Sequence, residues 1–575
     1  MKRLLAIVAI AAAGYAGTAH AVLPEVVLGP GTGAPVRTPY CQNGNRTLSA
    51  DTVYVLTGLY YVSAGETLTI APGTVIKGHD ATGGTLIITR DARIIAQGTP
   101  ILPIVFTSQY APGSRAPGDW GGIIILGNAP CNKVNPLIEG GLIPGNCTGG
   151  SGTYGGSDPN DNSGVLSYVR IEYAGFRFQA NNEVNGLTLG GVGAGTQIDH
   201  IQVSYSDDDS YEWFGGSVNC KYLVAFGGTD DEFDTDFGYR GKVQFGFGLR
   251  DPDQSDPTGQ SNGFESDNDG SATSTDQPYT RPIFCNITLV GPERTDAYVP
   301  FPLGETFQYS AVLRRSTQCN IFNSALMGYP WGISLRDANT KTWALDDSLE
   351  VRKASVQATL MPTGSTHIHD EAQWNVVDSW YATAGWDNLP ANSATRMPSA
   401  MLINNLSNLN APDPRPAAGS ELINSADFSE PRLAGLVVTT YRGAFPPVAA
   451  GGLNTLWTYR WTNFNPQNTD YSGGIITSVE SAAPQPQSYL SQNRPNPFNG
   501  STTHTTIDFS VPETGMVTLE VFDVSGAKVA SLVDGVKARG NYTVNFDARG
   551  VGSGVYFYRL KGNGVDELRK MVLLK

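Results

Sequence analysis

The chain has 575 residues, among them 67 Gly and 36 Pro, with 10% aromatic and 16% charged residues. Glycine is enriched over its usual share of about 7% and charge falls below the usual share of about 25%, which marks a turn-rich globular chain and excludes disorder. With 38 basic against 53 acidic residues the net charge is −15, a poor match to a phosphate backbone, so nucleic acid is not expected as a partner.

Lys2 and Arg3 precede an apolar run from Leu4 to Ala13, and Ala19-His20-Ala21 offers a small-x-small cleavage site, so residues 1–21 are predicted to be a secretory signal peptide. No later segment holds 18 uninterrupted apolar residues, so no transmembrane helix is expected in the mature chain. Residues 22–47 read as a Pro- and Gly-rich lead or cap.

From residue 48 short apolar runs recur between turn clusters. Leu68-Thr69-Ile70, Leu86-Ile87-Ile88 and Ile104-Val105-Phe106 follow one another at steps of 18 residues, and Ile123-Ile124-Ile125 comes next. Further runs carry the pattern on at longer spacing, among them Tyr168-Val169-Arg170-Ile171, His200-Ile201-Gln202-Val203 and Asn286-Ile287-Thr288-Leu289. A stack of coils explains such a period more economically than a sandwich or a propeller, because each coil lays its strands on the last and buries alternate side chains inside. The predicted fold class is all-β, with a parallel β-helix over residues 48–335. Ile104-Val105-Phe106-Thr107-Ser108, followed by Gly118-Asp119-Trp120-Gly121-Gly122-Ile123, resembles the right-handed parallel β-helix surface proteins of the pectate-lyase-like superfamily. These motifs mark architecture, and many functions share that architecture.

Residues 336–480 are predicted to be a helical and aromatic, loop-rich continuation or cap of the stack. Helices are expected within Asp346 to Leu360 and Glu371 to Ala384, the latter with Trp374, Val377, Trp380 and Tyr381 at helical spacing. Residues 481–488, with Pro484 and Pro486, read as a stiff linker. From 489 to 575 apolar and polar residues alternate as in a small antiparallel β-sandwich. Asn496-Pro497-Phe498-Asn499, then Gly554-Val555-Tyr556 and the ending Lys570-Met571-Val572, resemble the type IX secretion C-terminal sorting domain, itself similar to the Ig-like domain of flagellar hook-cap proteins. Gly500 stands where that family usually has Pro. The resemblance implies engagement of the type IX secretion machinery and a location outside a Gram-negative bacterium, released or attached to its outer-membrane surface.

Six cysteines in an exported chain are expected to form disulfides. Cys285 with Cys319, Cys131 with Cys147, and Cys41 with Cys220 by subtraction are the candidate pairs; buried free thiols are the alternative.

Charge concentrates between Asp199 and Gly270, where 16 acidic and 4 basic residues give a net −12. Asp209-Ser210-Tyr211-Glu212, Asp231-Glu232-Phe233-Asp234 and Asn262-Gly263-Phe264-Glu265 align, with Asn182-Glu183-Val184-Asn185 as an earlier candidate. Stacked on successive coils, the aromatics form one ladder and the carboxylates another. Like charges about 4.8 Å apart repel, so protonation, an intervening Arg240 or Lys242, backbone amides or a hard cation must offset them. Calcium suits an all-oxygen set, and Asp209, Glu212, Asp231, Asp234, Glu265 and Asp267 are the candidate ligands. No EF-hand or nonapeptide calcium repeat is present, so the signal is compositional.

The function expected is that of a secreted, cell-surface binding or structural element, adhesin-like or recognising extracellular polysaccharide or the cell envelope. The alternative is a calcium-assisted polysaccharide lyase or glycoside hydrolase on the same body. Arg170, Arg177, Arg240 and Arg250 are candidate bases for a lyase, and Asp207, Asp208, Asp230 and Asp231 could supply a hydrolase pair. His367 and His369 beside Asp370 and Glu371 form the one His-acid cluster; no catalytic residue is assigned.

Overall fold

The computed structural model describes residues 22–574 apart from 143–146, 149–151, 179–182, 258, 294–305, 359–367, 370–376, 390–397, 403–405, 407, 448–452, 476–489, 491–492, 494–495, 497, 500–503, 512–514, 538–539 and 563–564. The expected signal peptide, the expected linker, Asn182, His367, Asp370, Glu371, Trp374 and Pro497 lie outside the described residues. The chain divides into two compact units, one ending at Ile476 and the other starting at Thr477.

The first unit is a parallel β-helix. One 16-stranded sheet runs from Glu25–Leu28 to Val351–Arg352 and Ser355–Ala358, and an 11-stranded sheet runs from Pro39–Cys41 to Ile368–His369. Every pairing between the strands of these two sheets is parallel, as in Val53↔Val75 and Tyr211↔Phe233. Inward side chains from both sheets form one continuous core from Leu28 to Trp386. Trp120, the aromatic of the Gly-Asp-Trp-Gly-Gly motif, is fully buried in it and donates its indole N–H to the Glu172 carbonyl at 2.8 Å. Its ring lies where a Cβ on Gly78 would stand, at 2.2 Å, so residue 78 must lack a side chain.

Three expectations are corrected here. The lead is not a cap: Glu25–Leu28, Pro39–Cys41 and Arg46–Leu48 pair with the next strands and form the first coil. The 18-residue step is not the coil repeat. Leu68 and Ile104 lie in the first sheet and Leu86 in the second, so each step is one coil less one strand; in-register partners such as Val53 and Val75 are 22 residues apart. The stretch from Asp346 to Leu360 is not helical, because Val351–Arg352 and Ser355–Ala358 continue the sheet, while the helix forms earlier, at Ala338–Leu345. The second expected helix is confined among the described residues to Val377–Tyr381, with Trp380 and Tyr381 buried in the core.

A column of left-handed backbone bends the long strands of the first sheet: Tyr168, His200, Tyr222, Phe245 and Asn286 have φ between 53° and 64°. Such residues cost about 1 to 3 kcal/mol each, and stacking offsets part of it. The rings follow one another at 4.2 Å (Tyr168 to His200), 4.5 Å (His200 to Tyr222) and 5.1 Å (Tyr222 to Phe245). Over this outer face runs a strap, residues 408–475, whose Phe445 and Trp461 bury Phe226, Phe247 and Met327. Side-chain amides hold it in reciprocal pairs. Gln202 exchanges two hydrogen bonds with the backbone of Asn463, Gln244 with Val437 and Asn323 with Asp427, all between 2.7 and 2.9 Å. The strap ends beside the first coil, where the Leu23 N–H donates to the Ser472 carbonyl. Residues after the last coils therefore cover the flank of the stack.

The second unit packs a five-stranded sheet and the antiparallel pair His504–Val511 and Gly540–Asp547 around one core of Phe498, Leu519, Tyr558 and Met571. Gly554 pairs with Leu573, Lys570 with Phe557 and Asn499 with Leu574. Asn496 accepts a hydrogen bond from the Val572 N–H at 2.8 Å, and the Tyr556 hydroxyl donates to the Gly552 carbonyl at 2.7 Å. The motif residues thus tie the start of the unit to its last strand. Among the described residues no helix is long and apolar enough to cross a membrane.

Candidate functional site

The outward column of the second sheet changes character along the stack. Its registered residues are Tyr61, Ile87, Ile124, Thr188, Glu212, Asp234, Glu265, Val312 and Ser334. The apolar first third is covered by the insertion at 127–163, through Ile138, Leu142 and Tyr154. The three carboxylates follow directly. On the inner side of the same strands Tyr211, Phe233 and Phe264 stack at 5.6 and 5.5 Å. The alignment of the three acidic segments therefore describes the register, with one change: Leu187 opposes Tyr211 and Thr188 opposes Glu212, so the earlier member is Asn185-Gly186-Leu187-Thr188 in place of residues 182–185.

Three residues before each outward position runs a second ladder. The Asp209 carboxylate accepts the Asp231 N–H at 2.8 Å, Asp231 accepts the Asn262 N–H at 2.6 Å, and Asn262 accepts the Tyr309 N–H at 3.1 Å. Each side chain satisfies a backbone donor one coil on, which is how acidic residues are accommodated where the chain turns into the strand.

Basic residues compensate one end of the cluster. Arg314 pairs with Glu265 and with Asp267 at 2.9 Å, and Arg315 pairs with Asp267 at 2.6 Å. Arg177 holds Asp207 and Asp256 at 2.9 and 2.8 Å. Arg250, fully buried, pairs with Glu232 at 2.6 Å, and Tyr329 donates to the same carboxylate at 2.8 Å. Arg170 lies beside Glu172 and the Tyr471 ring under the strap. Among the described residues Glu212, Asp234, Asp209, Asp208 and Asp230 have no basic partner within salt-bridge distance.

These five do not ionise at ordinary carboxylate pH. Burial, then Glu139, Asp234 and Asp209, push Glu212 well up; burial, then Glu265, Asp267 and Asp231, do the same to Asp234. Burial followed by Asp231 and Asp208 raises Asp209. Even the compensated groups remain high, Glu232 at about 7 and Glu265 at about 8, chiefly through burial.

Oxygens of Asp209, Glu212 and Asp234 lie within 4.8 Å of one another, as do those of Asp208, Asp209 and Asp230, with Asp209 common to both groups. Two buried oxygens here have no hydrogen-bond partner, Oδ1 of Asp234 and Oδ1 of Asn185. An all-oxygen, electron-rich donor set with orphaned oxygens fits a hard cation such as calcium. Of the six expected ligands, the geometry gathers Asp209, Glu212 and Asp234; Asp231 is engaged with the Asn262 amide, and Glu265 and Asp267 with arginines. Glu139 and Asn185, which sequence reasoning missed, sit against Glu212: Asn185 donates to Glu139 at 3.1 Å and also to Glu212. Register would have found Asn185; nothing in the insertion's sequence marks Glu139. Of the His-acid cluster only His369 has a described position, opposite Ser334 on the last strand of the second sheet and apart from these carboxylates.

The cysteine pairing is corrected. Cys41 is bonded to Cys147, and Cys131, Cys220, Cys285 and Cys319 are free. Cys285 opposes Phe322, three residues beyond Cys319, because the coil there is 37 residues long. The odd offset puts the two thiols on opposite faces, Cys319 in the central core and Cys285 in an outer cluster with Phe322 and Leu433. Cys220 is likewise sealed in the core. The bond that forms joins the first coil to the insertion carrying Glu139.

Residues 40–399 match the family model described as pectate-lyase like beta helix domain, and residues 494–574 match the secretion system C-terminal sorting domain. No curated protein matches the chain. The sorting domain indicates a secreted, cell-surface-attached protein that engages the type IX machinery. With the parallel stack, its buried ladders and a matching model over more than half its length, the chain belongs to the pectate-lyase-like β-helix family and carries a type IX sorting domain at its C-terminal end.

Proposed function

We propose that the protein works at the cell surface as a binding or structural element whose acidic coils hold calcium and, through it, engage extracellular polysaccharide or the cell envelope. The observation that carries this reading is the outward trio Asp209, Glu212 and Asp234, buried, mutually repelling and without a cationic partner among the described residues. Calcium would supply the missing positive charge and leave coordination positions for oxygens of a sugar acid. Two features favour binding over catalysis. The nearby Arg177, Arg250, Arg314 and Arg315 are each committed to carboxylates, which leaves no base poised over the trio. The trio's oxygens approach within 4.8 Å, closer than the about 5 to 9.5 Å that separates glycosidase carboxyl groups. The test is a panel of acidic and neutral polysaccharides presented to the full chain with calcium or with chelator. Calcium-dependent retention without new reducing ends or unsaturated uronides is expected; turnover lost in Glu212→Gln would replace this reading with an enzyme, and no retention on any glycan would remove the ligand class.

A further inference from the structure

The insertion at 127–163 does more than shield apolar surface. Ile138 is buried, its N–H donates to the Gly152 carbonyl at 2.8 Å, and the neighbouring Gly140 carbonyl accepts from Arg37, itself stacked over Phe178 at 5.0 Å. The Cys41–Cys147 disulfide and the Ala64 N–H, which donates to Thr148 at 2.9 Å, fasten the far end to the first coils. Glu139 is the residue this scaffold presents to the acidic trio. Its carboxyl group lies within hydrogen-bonding reach of Glu212, and one amide nitrogen of Asn185 bridges the two.

We propose that Glu139 is a ligand of the same cation as Asp209, Glu212 and Asp234, with Asn185 as its oxygen-donating neighbour, so that the disulfide-fastened insertion sets the affinity of the site. An independent observation supports a ligand here. Asn185 is 1% exposed and is directed at both glutamates, yet its Oδ1 has no partner. A half-turn of that amide presents Oδ1 to an ion held between the carboxylates, satisfying the orphaned atom and removing the like-charge contact together. The inference rests on the calcium reading above and adds the residue from outside the ladder that completes it.

The experiment is calcium titration of the full chain by calorimetry, with melting temperature in chelator as the folding control. Glu139→Gln is expected to weaken calcium binding about tenfold or more, as loss of one carboxylate from such a site does, while melting in chelator at or above the wild-type temperature. Glu25→Gln, an equal loss of charge on the first coil, should bind like wild type. Cys41→Ser with Cys147→Ser should weaken binding as well. Glu139→Asp keeps the charge one methylene short, provides a second folded variant and should fall between. Calcium binding by Glu139→Gln within twofold of wild type would overturn the role of Glu139 and leave the calcium reading standing. Absence of calcium binding by the wild type would overturn both.

Discussion

Replacing Asp234 by Asn should stabilise the protein in chelator and abolish most of its response to calcium. The oxygens of Asp234 and Glu212 lie within 4.8 Å, so two full charges there repel by about 3.5 kcal/mol at an effective dielectric of about 20. Proton uptake relieves part of this, leaving about 1 to 3 kcal/mol at pH 8, or a melting-temperature gain of about 2 to 8 °C. The sign follows from the direction of the shift. Asp234 ionises at about 3.9 when unfolded and far higher when folded, because burial and then Glu265 oppose its charge. The wild type therefore carries no penalty below about pH 4 and loses stability as pH climbs toward the folded value. Differential scanning calorimetry in chelator at pH 5 and pH 8 should show the variant's advantage at pH 8 alone. A variant less stable than wild type at pH 8, or one that keeps the full calcium-induced rise, would refute the claim that this carboxylate is an uncompensated ligand.

The remaining predictions concern the same body. In wild type, the calcium-induced rise in melting temperature should grow between pH 5 and pH 8, since Glu232 and Glu265 titrate at about 7 and about 8 and the raised trio must lose protons before it binds; an equal rise at both pH values would contradict the shifts. Arg250→Met should cost about 3 to 5 kcal/mol in urea unfolding by leaving Glu232 buried and unpaired, and adding Glu232→Gln should recover a large part of it; no recovery would place the loss in the carbonyls that Arg250 caps. Non-reducing peptide mapping should find Cys41 joined to Cys147, with Cys131 alkylated in the native protein and Cys220, Cys285 and Cys319 only after unfolding; labelling of Cys319 in native conditions would contradict its burial.

The acidic ladder was legible because two constraints act on the same few residues. An aromatic must enter the core and its neighbour must face out, so the pattern of Tyr211-Glu212, Phe233-Asp234 and Phe264-Glu265 survives coil lengths of 22 and 31 residues. The cysteines carried no such pair of constraints. Equal spacing was taken as equal register, and a three-residue difference in one coil sent Cys285 and Cys319 to opposite faces. Glu139 was invisible because an insertion has no period to place it. The strap was read as loop, correctly as to backbone, but its docking depends on Gln202, Gln244 and Asn323, side chains that look like ordinary polar positions until their stacking on one flank is known.

The strap also has a mechanical meaning. A bare stack of coils is held only by neighbour-to-neighbour contact and can peel from either end. Here the chain, having built its last coil, returns lengthwise and leaves the body beside its own first coil, at Ser472 and Leu23. Tension drawn through the segment that follows is delivered to the strap along its axis, where Gln202, Gln244 and Asn323 resist together in shear, while the last coil bears none of the pull directly. The molecule is thereby a tethered rod whose anchoring end is its beginning, and its far coils remain folded under loads that would unzip an unstrapped stack.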